Sequence, residues 1–143
     1  MRLNLGGGEL VHPDFINIDK RPLPSVNILH DLEVFPWPVP DASCEILRVD
    51  HLLEHIKPWL TIIFFNEMWR VLKVNGQIIL SMPYAGSPEY WQDPTHCNGF
   101  TEKTFEYFDL RETLYKVYSP RPWHILSIYK EQFLKVVMQK VES

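Results

Sequence analysis

The chain has 143 residues, 45% of them hydrophobic and 22% charged, and a formal net charge of −4, which fits one soluble domain able to bury a core and gives no broad pull toward nucleic acid or anionic lipid. The longest apolar run, "LTIIFF" at 60–65, is far below membrane-spanning length, and the start "MRLNLGGG" has no apolar stretch of signal-peptide type. Cys44 and Cys97 form neither a metal-type pair nor a disulfide framework, so a reduced, cytoplasmic protein is expected, with no membrane and no nucleic-acid partner.

"RLNL" (2–5) reads as a strand that ends at Gly6-Gly7-Gly8, "FINID" (15–19) as a second ended by Asp19, and "VNILHD" (26–31) as a third ended by Asp31. In "FPWPVPDAS" (35–43) three prolines exclude helix and central strand. "EILRVD" (45–50) is a fourth strand. From Trp59 to Leu72 the period becomes helical, with Leu60, Phe64, Met68, Val71 and Leu72 on one face, and Asn75-Gly76 supplies turn chemistry at its end. "QIILSMP" (77–83) is a fifth strand, followed by a polar and aromatic segment from 84 to 108. The final "WHILSIYKEQFLKVVMQKV" fits a helix by spacing, yet its β-branched content and central "KEQ" favour two strands and a turn.

Strands in succession, several apolar on both faces, predict an α/β domain over 1–143 with a Rossmann-like, mostly parallel sheet and a C-terminal antiparallel pair. Only about ten residues separate the first two strands, near the lower limit for a crossover, so the first crossover is expected to be a bare loop or a single helical turn. In such sheets ligands bind beyond the carboxyl ends of the strands. Gly6, Gly7 and Gly8 allow close backbone approach. Asp19 can accept both hydroxyl hydrogens of a ribose. Asp31 can receive an adenine amino group while Leu32 packs on the ring.

The segment from Leu3 to about Phe108 resembles the class I S-adenosylmethionine-dependent methyltransferases, in particular their small, type-11-like branch. The likeness lies in "LNLGGG", in "FPWPVPDASCEILRVDHLLEHI" and in "NEMWRVLKVNGQIILSMP". It implies S-adenosylmethionine as cofactor, with Gly6 and Gly8 against the methionine portion and Asp19 on the ribose. Asp31 and Leu32 would meet the adenine, and Asp50 and His51 the methionine or the transferred methyl. The chain departs from the family pattern at Asn4, where an acidic residue is common, and at Glu9-Leu10, where a further glycine is usual.

Two other stretches invite chemistry. "HLLEH" at 51–55 matches the H-x-x-E-H spelling of inverted zinc peptidases, which would enlist His51, Glu54 and His55. That chemistry needs both histidines on one helix, whereas here a strand leads in and Pro58 follows three residues after His55. In "WQDPTHCNGFTEKTF" (91–105), Asp93 and His96 are candidates for a catalytic base on a substrate lid spanning 84–108. The plainer account is that Asp93 and Thr95 shape a turn and Thr101 caps a helix. "DPTH…FT…F" also resembles a stretch of the same methyltransferase branch. The expectation is a methyltransferase acting on a small-molecule or glycan-like acceptor. A degenerate nucleoside- or partner-binding domain on the same fold is the alternative, and a zinc hydrolase ranks third. Trp59, Ile62, Phe65 and Trp69 widen the apolar face of the 59–72 helix, which calls for burial under the C-terminal segment or a homodimer contact.

Overall fold

A computed structural model describes residues 1–142. Its sheet is built from β1 (Arg2–Leu5), β2 (Ile16–Asp19), β3 (Ile28–Leu29), β4 (Cys44–Asp50), β5 (Leu72–Met82), β6 (Trp123–Lys130) and β7 (Leu134–Lys140). The seven strands lie in the order β3-β2-β1-β4-β5-β7-β6. β1 to β5 pair in parallel, and β7 runs antiparallel to both β5 and β6. The expected parallel sheet and C-terminal strand pair are both present. The hairpin turn falls at 131–133, where Glu131 N–H donates to the Phe133 carbonyl at 3.0 Å.

The crossovers over 6–15, 20–27 and 30–43 contain no helix, so the trimming anticipated for the first extends to three. The crossover into β5 carries α1 (Thr61–Val71), preceded by a 3-10 turn over Pro58–Leu60. Pro58 fixes its own φ and biases Lys57 away from helix, which moves the helix start past the expected Trp59. Its end also differs: Leu72 is already extended, and Asn75, at φ 64°, kinks β5 between the partners Cys44↔Leu72 and Ile46↔Gln77 instead of capping a helix. Short helices α2 (Pro88–Trp91), α3 (Glu102–Glu106) and α4 (Tyr115–Tyr118) complete the chain. At α3 the Thr101 N–H donates to Thr104 Oγ1 at 3.0 Å, the capping expected from sequence.

One sheet face carries the core. Leu47, Val49, Ile78, Leu80, Met82, Val136 and Met138 alternate inward at period two, clustered with Phe64, Phe65 and Met68 of α1 and with Phe105 and Phe108. Phe65 stacks on Phe108 at 4.1 Å between centroids. The other parity, Ile46 and Arg48, Gln77 and Ile79, Val137 and Gln139, is only partly buried. Burial of the wide α1 face is met at Phe65, and Trp69 Nε1–H reaches the Pro122 and Val141 carbonyls of the C-terminal segment. Trp59 stays 74% exposed. Among the described residues no helix is long and apolar enough to cross a membrane.

Candidate functional site

A cleft of about 650 Å³ opens at the carboxyl ends of β1, β2, β3 and β4, within the usual size range of ligand pockets. Its wall holds Gly6, Asp19, Asp31, Leu32 and His51, which the sequence places at four separate strand ends, together with Arg21 and His55. The convergence follows from the parallel pairing of β3, β2, β1 and β4 side by side.

Gly6 turns the chain out of β1 at φ 66° while its N–H bonds the Ile18 carbonyl at 2.8 Å, and an added Cβ would press on Leu52 at 2.9 Å. Gly7 and Gly8 do not form part of the wall. They fold toward β2, where the Gly8 N–H donates to Asp19 Oδ2 at 2.8 Å and its carbonyl accepts from Asn17 Nδ2 and Ser25 Oγ. Asn4, at the departure from the family pattern, is 1% exposed and ties the same loop through a bond to the Leu10 carbonyl.

Asp19 is 5% exposed and accepts on both oxygens: from Gly8 N–H, from Arg21 N–H at 2.9 Å, and from the Arg21 side chain at 3.4 Å. Burial alone raises its carboxyl, but the Arg21 main-chain and side-chain bonds and the Gly8 bond together outweigh burial and hold it below the ordinary value. The Arg21 side chain is 58% exposed, so its long contacts are the replaceable part of this set. Arg21 was not singled out from sequence. The signal was its place two residues after a strand-ending aspartate, the spacing of an Asx turn.

Leu32, 6% exposed, is positioned from behind. Its carbonyl accepts from Trp37 Nε1–H at 2.9 Å, the Trp37 N–H donates to Glu67 Oε2 at 2.5 Å, and Glu67 is clamped by Arg70 through Nε and Nη2, both at 2.8 Å. The proline-rich 35–43 stretch is thus pinned to α1. Asp31 is exposed and accepts from the Glu33 N–H at 3.0 Å.

The β4 exit divides the remaining candidates. Asp50 does not face this cleft. It shares a parity with Ile46 and Arg48, and its carboxylate accepts from Arg48 Nε at 2.6 Å and Ser81 Oγ at 2.8 Å on the wall of a second cleft, of about 380 Å³, over the less covered sheet face. His51 borders both clefts, at φ 53°, so the chain leaves β4 through a left-handed residue and not through a helix. The neighbouring Glu54 carboxylate, 3.7 Å away, raises the His51 pKa against the opposing effect of burial. With only a 3-10 turn over Leu53–His55, the two histidines of "HLLEH" do not share a helix, and the inverted-peptidase arrangement is not formed.

The 93–98 loop docks on this turn through Cys97 N–H and Asn98 N–H, both donating to the Glu54 carbonyl. Asp93 Oδ1 accepts from the N–H and hydroxyl of Thr95 at 2.9 and 2.7 Å, which keeps its carboxyl below the ordinary value and forms the expected turn. The His96 side chain is only 8% exposed and takes no part in the cleft wall. His55, 4.8 Å from it between ring centroids, stands on the wall instead.

The sequence matches no protein-family model and no curated protein. Solved structures are similar throughout. One is a SAM-dependent methyltransferase from Archaeoglobus fulgidus, 14% identical over 97% of this chain and 85% of that one, with TM-score 0.70. Another is a 1,6-didemethyltoxoflavin-N1-methyltransferase from Burkholderia thailandensis, solved with 1,6-didemethyltoxoflavin and S-adenosylhomocysteine bound. It is 13% identical over 99% of this chain and 71% of that one, also with TM-score 0.70. A third is a Haloferax volcanii protein solved in complex with the Trm112 methyltransferase activator, 12% identical over 99% and 82% of the two chains, with TM-score 0.68. The chain has the fold of the class I S-adenosylmethionine-dependent methyltransferases.

Proposed function

We propose that the protein is an S-adenosylmethionine-dependent methyltransferase acting on a small-molecule or glycan-like acceptor. The observation that carries this reading is the convergence of Gly6, Asp19, Asp31, Leu32 and His51 on one cleft at the strand ends. The residues fit the cofactor chemically. Leu32 offers an apolar surface for a purine, Asp19 an acceptor pair for ribose hydroxyls, and Gly6 a wall without a Cβ.

When bound, the cofactor supplies an electrophilic methyl group on a sulfonium, so the protein's task is orientation of an acceptor and exclusion of water. Asp19 would hold the ribose hydroxyls in place of the Arg21 side chain, with its bonds from the Gly8 and Arg21 N–H groups kept. His51 presents its imidazole to the cleft and is placed to take a proton from an acceptor hydroxyl or amine. Asp93 holds Thr95, and Thr95 contacts His55 Nδ1 at 3.1 Å, which orients the His55 ring on the cleft wall.

The second reading, a domain that binds a nucleoside or partner without turnover, draws on the Arg21 side chain lying across Asp19. Calorimetry with S-adenosylmethionine, followed by an S-adenosylhomocysteine release assay over sugars and small amines and alcohols, separates the two. Binding with acceptor-dependent release is the expected result. Binding without release over the panel favours the second reading, and no binding by folded protein refutes the first.

A further inference from the structure

The β4 exit and the 93–98 loop bring together three groups with complementary, unspent valence. Glu54 is 1% exposed, and its Oε1 is buried without a hydrogen-bond partner. The His96 Nδ1 lies 2.6 Å from the Tyr90 carbonyl, which can only accept, so Nδ1 carries the proton and Nε2 of the neutral ring is a bare lone pair. The Thr95 hydroxyl spends its one proton on Asp93 Oδ1, so its 3.1 Å contact with His55 Nδ1 requires Nδ1–H there as well. In its neutral form each imidazole therefore keeps a lone pair on Nε2, and that of His96 lies 4.0 Å from a buried carboxylate that lacks a donor.

We propose that Glu54, His55 and His96 bind one zinc-class divalent transition-metal ion. Two imidazole nitrogens and a carboxylate are a ligand set of that class, and each ring donates its other nitrogen's proton to an oxygen, the arrangement that fixes metal-ligating histidines. The three ligand atoms lie within 4.8 Å of one another. His96 Nε2 is 4.0 Å from Glu54 Oε2 and 3.6 Å from Asp93 Oδ2, too far for hydrogen bonds. Ligands of one tetrahedral zinc ion stand about 3.4 Å apart, so closing on the ion takes small side-chain rotations that draw His55 and His96 toward Glu54. The ion would link the 93–98 loop to the β4 exit, with His55 its ligand on the cleft wall. Asp93 Oδ2 is the nearest further donor. This site differs from the "HLLEH" spelling, since its third ligand comes from His96 and not from His51.

The test is titration of chelator-treated, folded protein with zinc by calorimetry and with cobalt by visible absorption. One equivalent per chain, cobalt bands of a four- or five-coordinate site, and a zinc-dependent rise in thermal midpoint are expected. His96→Gln and Glu54→Gln should each weaken zinc binding by about a hundredfold or more, and Thr95→Val by about ten- to a hundredfold through loss of the His55 orientation. His51→Ala should leave it unchanged. Folded wild-type protein that takes up no stoichiometric zinc or cobalt overturns the proposal, and so does binding that survives His96→Gln but not His51→Ala. None of the three ligands lies at the β1, β2 or β3 ends, so zinc binding and cofactor binding fail independently.

Discussion

Buried carboxylates at the two ends of the cleft are treated differently. At the β2 end Asp19, 5% exposed, is met by main-chain N–H groups of Gly8 and Arg21 and by a guanidinium. Glu67, 7% exposed behind Leu32, and Asp109, 1% exposed beside β6, are likewise saturated by arginine and main-chain donors. At the β4 exit Glu54 is as deeply buried, yet it has histidines near it at 3.7 and 4.0 Å and an oxygen with no partner at all. Saturated carboxylates stabilise the fold, whereas an unsaturated one leaves free energy for a ligand to release.

The contrast predicts a ranking of substitutions. Glu67→Ala should cost most, about 3 kcal/mol in denaturant unfolding, since it strands Arg70 and the Trp37 N–H and loosens the support of Leu32. Next comes Asp109. Burial pushes its carboxyl up, but Arg111 and the Ile125 N–H outweigh that and bring its pKa down to about 2 from 3.8. The charged form is thus favoured by folding: the stability is fully present above the unfolded value near 3.8 and is lost as pH falls toward about 2. Asp109→Asn should remove about 2 kcal/mol at neutral pH and flatten the acid limb of the stability profile in that window.

Asp19→Ala follows, with cofactor affinity reduced by about 1.5 kcal/mol, more than tenfold, in calorimetry. An unchanged affinity would mean that the ribose does not meet Asp19. The smallest effect is expected at Glu54→Gln, under about 1 kcal/mol of metal-free stability, because no strong donor is lost. A cost like that of Glu67→Ala would erase the distinction between the two ends.

Much of the scaffold was legible because it is local. The strand end at Asp19, the turn between the last two strands and the Thr101 cap each rest on neighbours in sequence, whereas the third strand, expected over 26–31, pairs only at Ile28–Leu29 and stops short of Asp31. Asp50 was assigned to the cofactor by resemblance, although period two from Leu47 and Val49 already set it on the opposite parity. The helix limits moved because Pro58 and Asn75 act on a tertiary path: one forces a 3-10 turn, the other a kink within β5. The Glu54–His96 approach joins residues 42 positions apart, and neither "HLLEH" nor "DPTH" carries a mark of the other. Arg21 over Asp19 is a side-chain choice that backbone patterning does not encode.

The central claim is that the strand-end cleft holds the adenosyl cofactor. Amide chemical-shift mapping with S-adenosylhomocysteine tests it most directly. The account predicts saturable shifts concentrated at Gly6, Lys20, Arg21, Leu32 and Leu52, with Ile79 and Val137 of the second cleft little changed. Shifts confined to the second cleft, or none in folded protein at millimolar ligand, would contradict it.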